Sequence, residues 1–254
     1  MTVTRPAPST PRDFQFPAFT RTSLPNGMRL VVAPMHRLPV VTAILVIRGG
    51  ASTEPEGMEG VSDIVARALS EGTEEKTADQ LVMALERLGT SVSASSDWES
   101  TILKMTVMSP RVQAALSLMS EMVTSPRFET AAMDRLRAER LSEIVQSRSE
   151  PRVLADETFS ATLYGSTSRY SIPLAGSEAS VAAIHTANAK DYHAANYRPE
   201  EATLILAGDI EPVYAQEMAR AAFGSWSGGG AVAGERILSK SISGRRVQIV
   251  NRAG

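Results

Sequence analysis

The sequence predicts an α+β domain built on a mixed, largely antiparallel sheet with helices packed on one side, and three observations carry that prediction. An Asn26-Gly27 dipeptide joins two extended runs, 19–24 and 28–33, as the turn of a tight hairpin. The β-branched run 40–48 (VVTAILVIR), bounded by Pro39 and Gly49-Gly50, has the composition of a central strand. Further along, strands and helices lack the strict alternation that a doubly wound parallel sheet requires.

From Gly60 the apolar residues recur at Val61, Ile64, Val65, Ala68 and Leu69, a helical spacing, and Gly72 stands where that helix stops. A second helix runs from a Thr77 cap through Leu81, Val82, Leu85 and Leu88 to Gly89. Residues 91–96 and 100–108 read as a second pair of strands, followed by helices over 111–123 and 130–148. Residues 151–164 and 187–197 are further helices, 202–208 (ATLILAG) a buried strand, and 212–223 a last helix. This divides the chain into a flexible, Pro-, Ser- and Thr-rich arm (1–18), one domain (19–226), a linker containing Gly228-Gly229-Gly230 (227–245), and the opening strand of another unit (246–254, with RVQIVN at 246–251).

The 254 residues carry 26 Lys and Arg against 28 Asp and Glu, so no global positive field points to nucleic acid. The absence of cysteine removes disulfides, thiolate metal sites and cysteine nucleophiles, leaving His, Asp and Glu as the available ligands. Apolar runs such as 40–47 fall far short of the roughly 20 residues that span a bilayer, so no membrane insertion is expected. The expected location is cytoplasmic, or periplasmic had a signal peptide been removed.

The stretch GASTEPEGMEGVSD (50–63), continuing to Glu71-Gly72-Thr73, resembles the helix region of the pitrilysin/insulinase-type zinc peptidase family, where a glycine-led helix carries His-x-x-Glu-His and ends in Gly-Thr. Tyr164-Gly165, Gly176, 181–184 (VAAI), Asp191-Tyr192, 196–199 (NYRP) and 206–209 (LAGD) resemble that family's later segment in order and spacing. The resemblance implies two such domains facing each other across a chamber, with this chain a first half and 246–254 the start of a truncated second repeat.

In the family the two histidines bind zinc, the intervening glutamate activates the metal-bound water, and a downstream glutamate completes the ligand set. Counting back from Gly72-Thr73, the resemblance puts the first His on Asp63, the catalytic Glu on Ala66 and the second His on Arg67. The downstream ligand falls on Glu143, 76 residues after Arg67. The motif is therefore degenerate, with no catalytic and no metal-binding residue expected: arginine cannot donate to a metal and alanine cannot accept a proton. Two accounts of Asp63 and Arg67 stand. The guanidinium takes the place of the zinc charge between two carboxylates, or the pair is a solvated i, i+4 contact of about 0.3–0.5 kcal/mol.

Other residues carry less. His185 and His193 are eight apart, which is not metal-ligand spacing on one helical turn, and His36 follows Met35 in a loop at the surface. No Gly-x-Ser-x-Gly elbow is present, and the glycines at 224 and 228–230 lack the Lys-Ser/Thr partner of a phosphate loop. Arg135, Arg137, Arg140 and Arg148, interleaved with Asp134, Glu139 and Glu143, read as a solvated helix face.

The function that the resemblance implies is a non-catalytic subunit. It would pair with an active peptidase subunit or second-half domain, help to form the substrate chamber and bind peptide, with zinc only in the active partner chain. The alternative is a scaffold or assembly protein resembling respiratory-complex core subunits, without a proteolytic role.

Overall fold

The computed structural model describes residues 13, 15–165, 168–228, 244–245 and 247–249. One six-stranded sheet organises them. The hairpin forms from β1 (Thr20–Ser23) and β2 (Arg29–Pro34), with Gly27 at positive φ in the turn and the Asn26 amide donating to the Phe223 and Trp226 carbonyls. The other strands are β3 (Val40–Arg48), β4 (Ser93–Ser96), β5 (Ser100–Met108) and β6 (Ala202–Gly208). They lie in the order β1-β2-β6-β3-β5-β4, with β2 and β6 parallel and every other pair antiparallel. β3 is central, as its composition requires.

Alternation decides which face is covered. Leu30 and Val32, Val41, Ala43, Leu45 and Ile47, Leu103, Met105 and Val107, and Leu204 and Leu206 all point to one buried side. The helices are α1 (Val61–Ala68), α2 (Ala78–Arg87), α3 (Val112–Thr124), α4 (Thr130–Ser147), α5 (Pro151–Tyr164), α6 (Glu178–Ala183), α7 (Thr186–Asn196) and α8 (Pro212–Phe223). Of these, α1, α3, α4, α6, α7 and α8 contribute to the core on this side, α2 packs on α3 through Leu81, Leu85 and Met122, and α5 lies beside the turn at Arg169–Ser171 and buries none of its residues. The opposite face keeps a partly buried apolar row, Val31–Ile205–Ile44, across three strands in direct register, with Val46 beside Ile102.

The short helix α6 escapes the periodicity argument. Its six residues are too few to show a repeat, and a reciprocal Ser177/Ser180 cap sets its start. The arm at 1–18 and the linker at 227–245 lie largely outside the described residues; of the strand expected over 246–251, residues 247–249 are described and are not in a strand, Val247 and Ile249 being exposed and Gln248 accepting a hydrogen bond from Thr162 at 2.8 Å. Among the described residues, no helix is long and apolar enough to cross a membrane.

Candidate functional site

Helix α1 is held at its start by backbone geometry and by a buried charge. Gly60, its N-terminal flanking residue, has φ 98°, and a Cβ there would come within 2.6 Å of the Ala175 carbonyl. Across that contact Gly176 has φ 82°, and its Cβ would stand 2.1 Å from the Glu59 carbonyl. The Glu54 carboxylate, its side chain fully buried, accepts from the Gly60 and Ser62 amides at 3.1 and 2.9 Å and from the Ser62 hydroxyl at 2.6 Å. Arg169 donates to the same carboxylate at 2.6 and 2.7 Å and also reaches the Ile172 carbonyl at 2.8 Å. Burial pushes the Glu54 carboxyl up, and Arg169 with the Ser62 and Gly60 bonds opposes it. An anion at this end also complements the helix dipole. The inward stripe Val61, Ile64, Val65, Ala68 and Leu69 completes the anchorage.

The outward face of α1 carries Asp63 and Arg67, one turn apart. The Arg67 Nε lies 2.9 Å from Asp63, and its two terminal nitrogens donate to the two Glu143 oxygens at 2.9 and 3.0 Å, a bidentate pair reaching to α4. A second guanidinium, that of Arg140, closes the group. It donates to Asp63 through Nε at 3.0 Å and through a terminal nitrogen, and to Glu143 at 2.8 Å. Side-chain exposure is 12% for Arg140, 18% for Asp63, 32% for Arg67 and 44% for Glu143, so the cluster is half sunk between α1 and α4 and open on the Glu143 side. The Arg67 bonds hold the Glu143 carboxyl below its ordinary value. Burial pulls Arg67 down, but the bonds to Glu143 and the charges of Asp63 and Glu143 outweigh it, and the guanidinium sits above its usual range.

The structure thus brings Asp63, Arg67 and Glu143 into one cluster and leaves Ala66 apart, fully buried. It corrects the expectation for the basic run on α4. Arg135 and Arg148 are about half exposed, whereas Arg140 is among the more buried charges and Arg137 donates to the Ile184 carbonyl at 2.9 Å. The missed signal is a stripe on α4: Met133, Leu136, Arg140 and Glu143 follow an i, i+3, i+7, i+10 spacing, and the first two are buried. Arg169 gave no comparable signal.

The zinc ion implied by the family resemblance does not suit these donors. Two imidazoles and a carboxylate are wanted, and this site offers two carboxylates already bonded to two permanent cations. Among the described residues, no group of three or more His, Asp or Glu side chains is placed to hold a metal. The histidines lie elsewhere. His193 is half-buried with Nε2 at 2.7 Å from the Val123 carbonyl, and desolvation pulls its pKa down. His185 begins α7 beside Arg137. His36, half exposed between β2 and β3, contacts Asp209 at 2.8 Å and Glu211 at 3.2 Å.

Comparison with known proteins adds the wider context. A family model described as Insulinase (Peptidase family M16) matches residues 30–176, and one described as Peptidase M16 inactive domain matches residues 184–250. The non-peptidase homolog YmxG of Helicobacter pylori is 24% identical over 176 residues, a match covering 69% of this chain and 40% of the relative. An uncharacterized zinc protease of Mycobacterium leprae is 26% identical over 211 residues, covering 81% and 46%. The chain spans about half the length of the curated relatives it matches. A crystal structure of a peptidase M16 inactive domain from Pseudomonas fluorescens superposes with a TM-score of 0.81 at 22% identity, over 89% of this chain and 54% of that one, and this likeness speaks for the fold.

Proposed function

Because the chain belongs to the insulinase (M16) peptidase family, we propose that it is a non-catalytic member that pairs with an active peptidase subunit or a second-half domain, forming one wall of a substrate chamber and binding peptide. The observation that carries this reading is the state of α1 at positions 63, 66 and 67. Position 66 offers no base, and the carboxylates of Asp63 and Glu143 are engaged by Arg67 and Arg140. On this reading the chain holds no zinc of its own, and the metal belongs to the active partner.

Two features of the sheet support pairing and peptide contact. The partly buried row Val31–Ile205–Ile44 lies on the face opposite the helices, where a second domain would cover the apolar area that remains accessible. At the sheet's end, β4 is paired on one side by β5, and α1 packs close to it, so an extended peptide adding to that edge would run past the degenerate motif. A cytoplasmic location accompanies this reading. A scaffold role, in the manner of respiratory-complex core subunits, is the competing reading, since the same sheet face would serve it.

Affinity purification of the tagged full chain from its own cells, with identification of what it carries, separates these. The expected result is a stoichiometric complex with a chain bearing intact His-x-x-Glu-His, the pair cleaving peptides faster than either member. A proteolytically silent respiratory assembly would favour the scaffold. Peptide hydrolysis by this chain alone would overturn the proposal.

A further inference from the structure

Loss of the imidazoles at positions 63 and 67 explains why the motif is degenerate but leaves Arg140 unaccounted for. Arg140 is not a motif position, yet it is the least exposed member of the cluster and donates to both carboxylates. With Arg67 it brings two permanent positive charges to the place where a dication would have to sit, balanced by Asp63 and Glu143. We propose that Arg140 is a second, independent block to metal binding, so that restoring the histidines and glutamate of the motif does not by itself restore a metal site. The inference rests on the assignment of Asp63, Ala66, Arg67 and Glu143 as the motif positions.

Asp63→His and Arg67→His return two imidazoles to the outward face of α1, and Ala66→Glu completes the His-x-x-Glu-His sequence at a position that is buried in the parent. The same exchange takes from Arg140 its Asp63 partner and leaves it Glu143, at 2.8 Å on the same helix. Glu143 is the carboxylate that the metal also needs. Arg140 then competes for it as a bonded cation and repels the incoming ion at short range. The guanidinium does not deprotonate in the working pH range, so raising pH does not lift the block.

The test compares the triple variant D63H/A66E/R67H with the same variant carrying R140Q or R140M, each with and without E143A. Zinc affinity is measured by competition with a chromogenic chelator, cobalt(II) absorption reports the ligand set, and circular dichroism checks the fold. The expected result is weak binding by the triple variant, affinity higher by about tenfold or more on removing Arg140, and loss of that gain with E143A. Equal affinity with and without Arg140, both dependent on Glu143, would overturn the inference while leaving the motif assignment standing. A folded quadruple variant that binds no better than the parent, or is indifferent to E143A, would show the assignment itself to be wrong, and the inference falls with it. If the triple exchange unfolds the chain, R67H and R67H/R140Q ask the same question, with the carboxylates of Asp63 and Glu143 and the imidazole introduced at position 67 as donors, and the second must bind the more tightly.

Discussion

Helix α1 carries two charge constellations of similar composition and opposite character. At its N-terminus, Glu54 and Arg169 form a buried pair in which the carboxylate takes backbone, hydroxyl and guanidinium donors and its side chain is out of reach of water. On its outward face, Asp63, Arg67, Arg140 and Glu143 form a balanced ring that stays partly wet. The first fixes where the helix begins. The second ties it to α4, but the helix is already placed by Gly60 against Ala175, by Gly176 against Glu59 and by its apolar stripe. The position of α1 therefore does not depend on what occupies its outward face.

The largest effect is expected from unpairing the buried site. Arg169→Met leaves the Glu54 charge without its cation in a low-dielectric setting and should cost about 3–5 kcal/mol in urea unfolding. Glu54→Gln added to it should return part of that loss, since no buried charge then remains. A loss under about 1 kcal/mol for Arg169→Met would put the two constellations on an equal footing.

At the outward ring the effects are smaller. Arg67→Ala or Glu143→Gln should cost about 1 kcal/mol or less, with a coupling of about 0.5–1 kcal/mol in the double-mutant cycle. Raising salt from about 0.1 to 1 M should shrink that coupling and leave the Arg169→Met effect unchanged, because a wet pair is screened and a buried one is not. Equal salt sensitivity at both sites would erase the distinction.

Smallest is the pH effect. The Glu143 carboxyl is depressed in the folded chain, so its contribution is present above the ordinary glutamate value and is lost as pH falls through the folded one. Glu143→Gln should therefore narrow the gap to the parent in the acid range below about pH 4.5 and widen it at neutrality. A gap independent of pH would show that Glu143 contributes by packing alone.

How much of this was legible in the sequence follows the range of the interactions. The Asn26-Gly27 turn, the period of α1 and the Thr77 cap of α2 are local, and each appears where the residues place it. The Asp63–Arg67 step is also local, as an i, i+4 contact on one helix. Arg140 was half legible: its stripe on α4 indicated an inward side, but only the packing of α4 on α1 shows that Asp63 waits 77 residues away. Arg169 was not legible at all. Its partner Glu54 lies 115 residues off, and no periodicity links a short three-ten turn at Arg169–Ser171 to the loop before α1.

The proposal that the ion pairs on α1 leave no room for a metal is decided by the zinc content of the protein. The purified chain, dialysed against a weak chelator, would be subjected to elemental analysis alongside its Glu143→Ala variant. Zinc far below one ion per chain is expected in both. One zinc per chain in the parent, retained through dialysis and lost in Glu143→Ala, would contradict it.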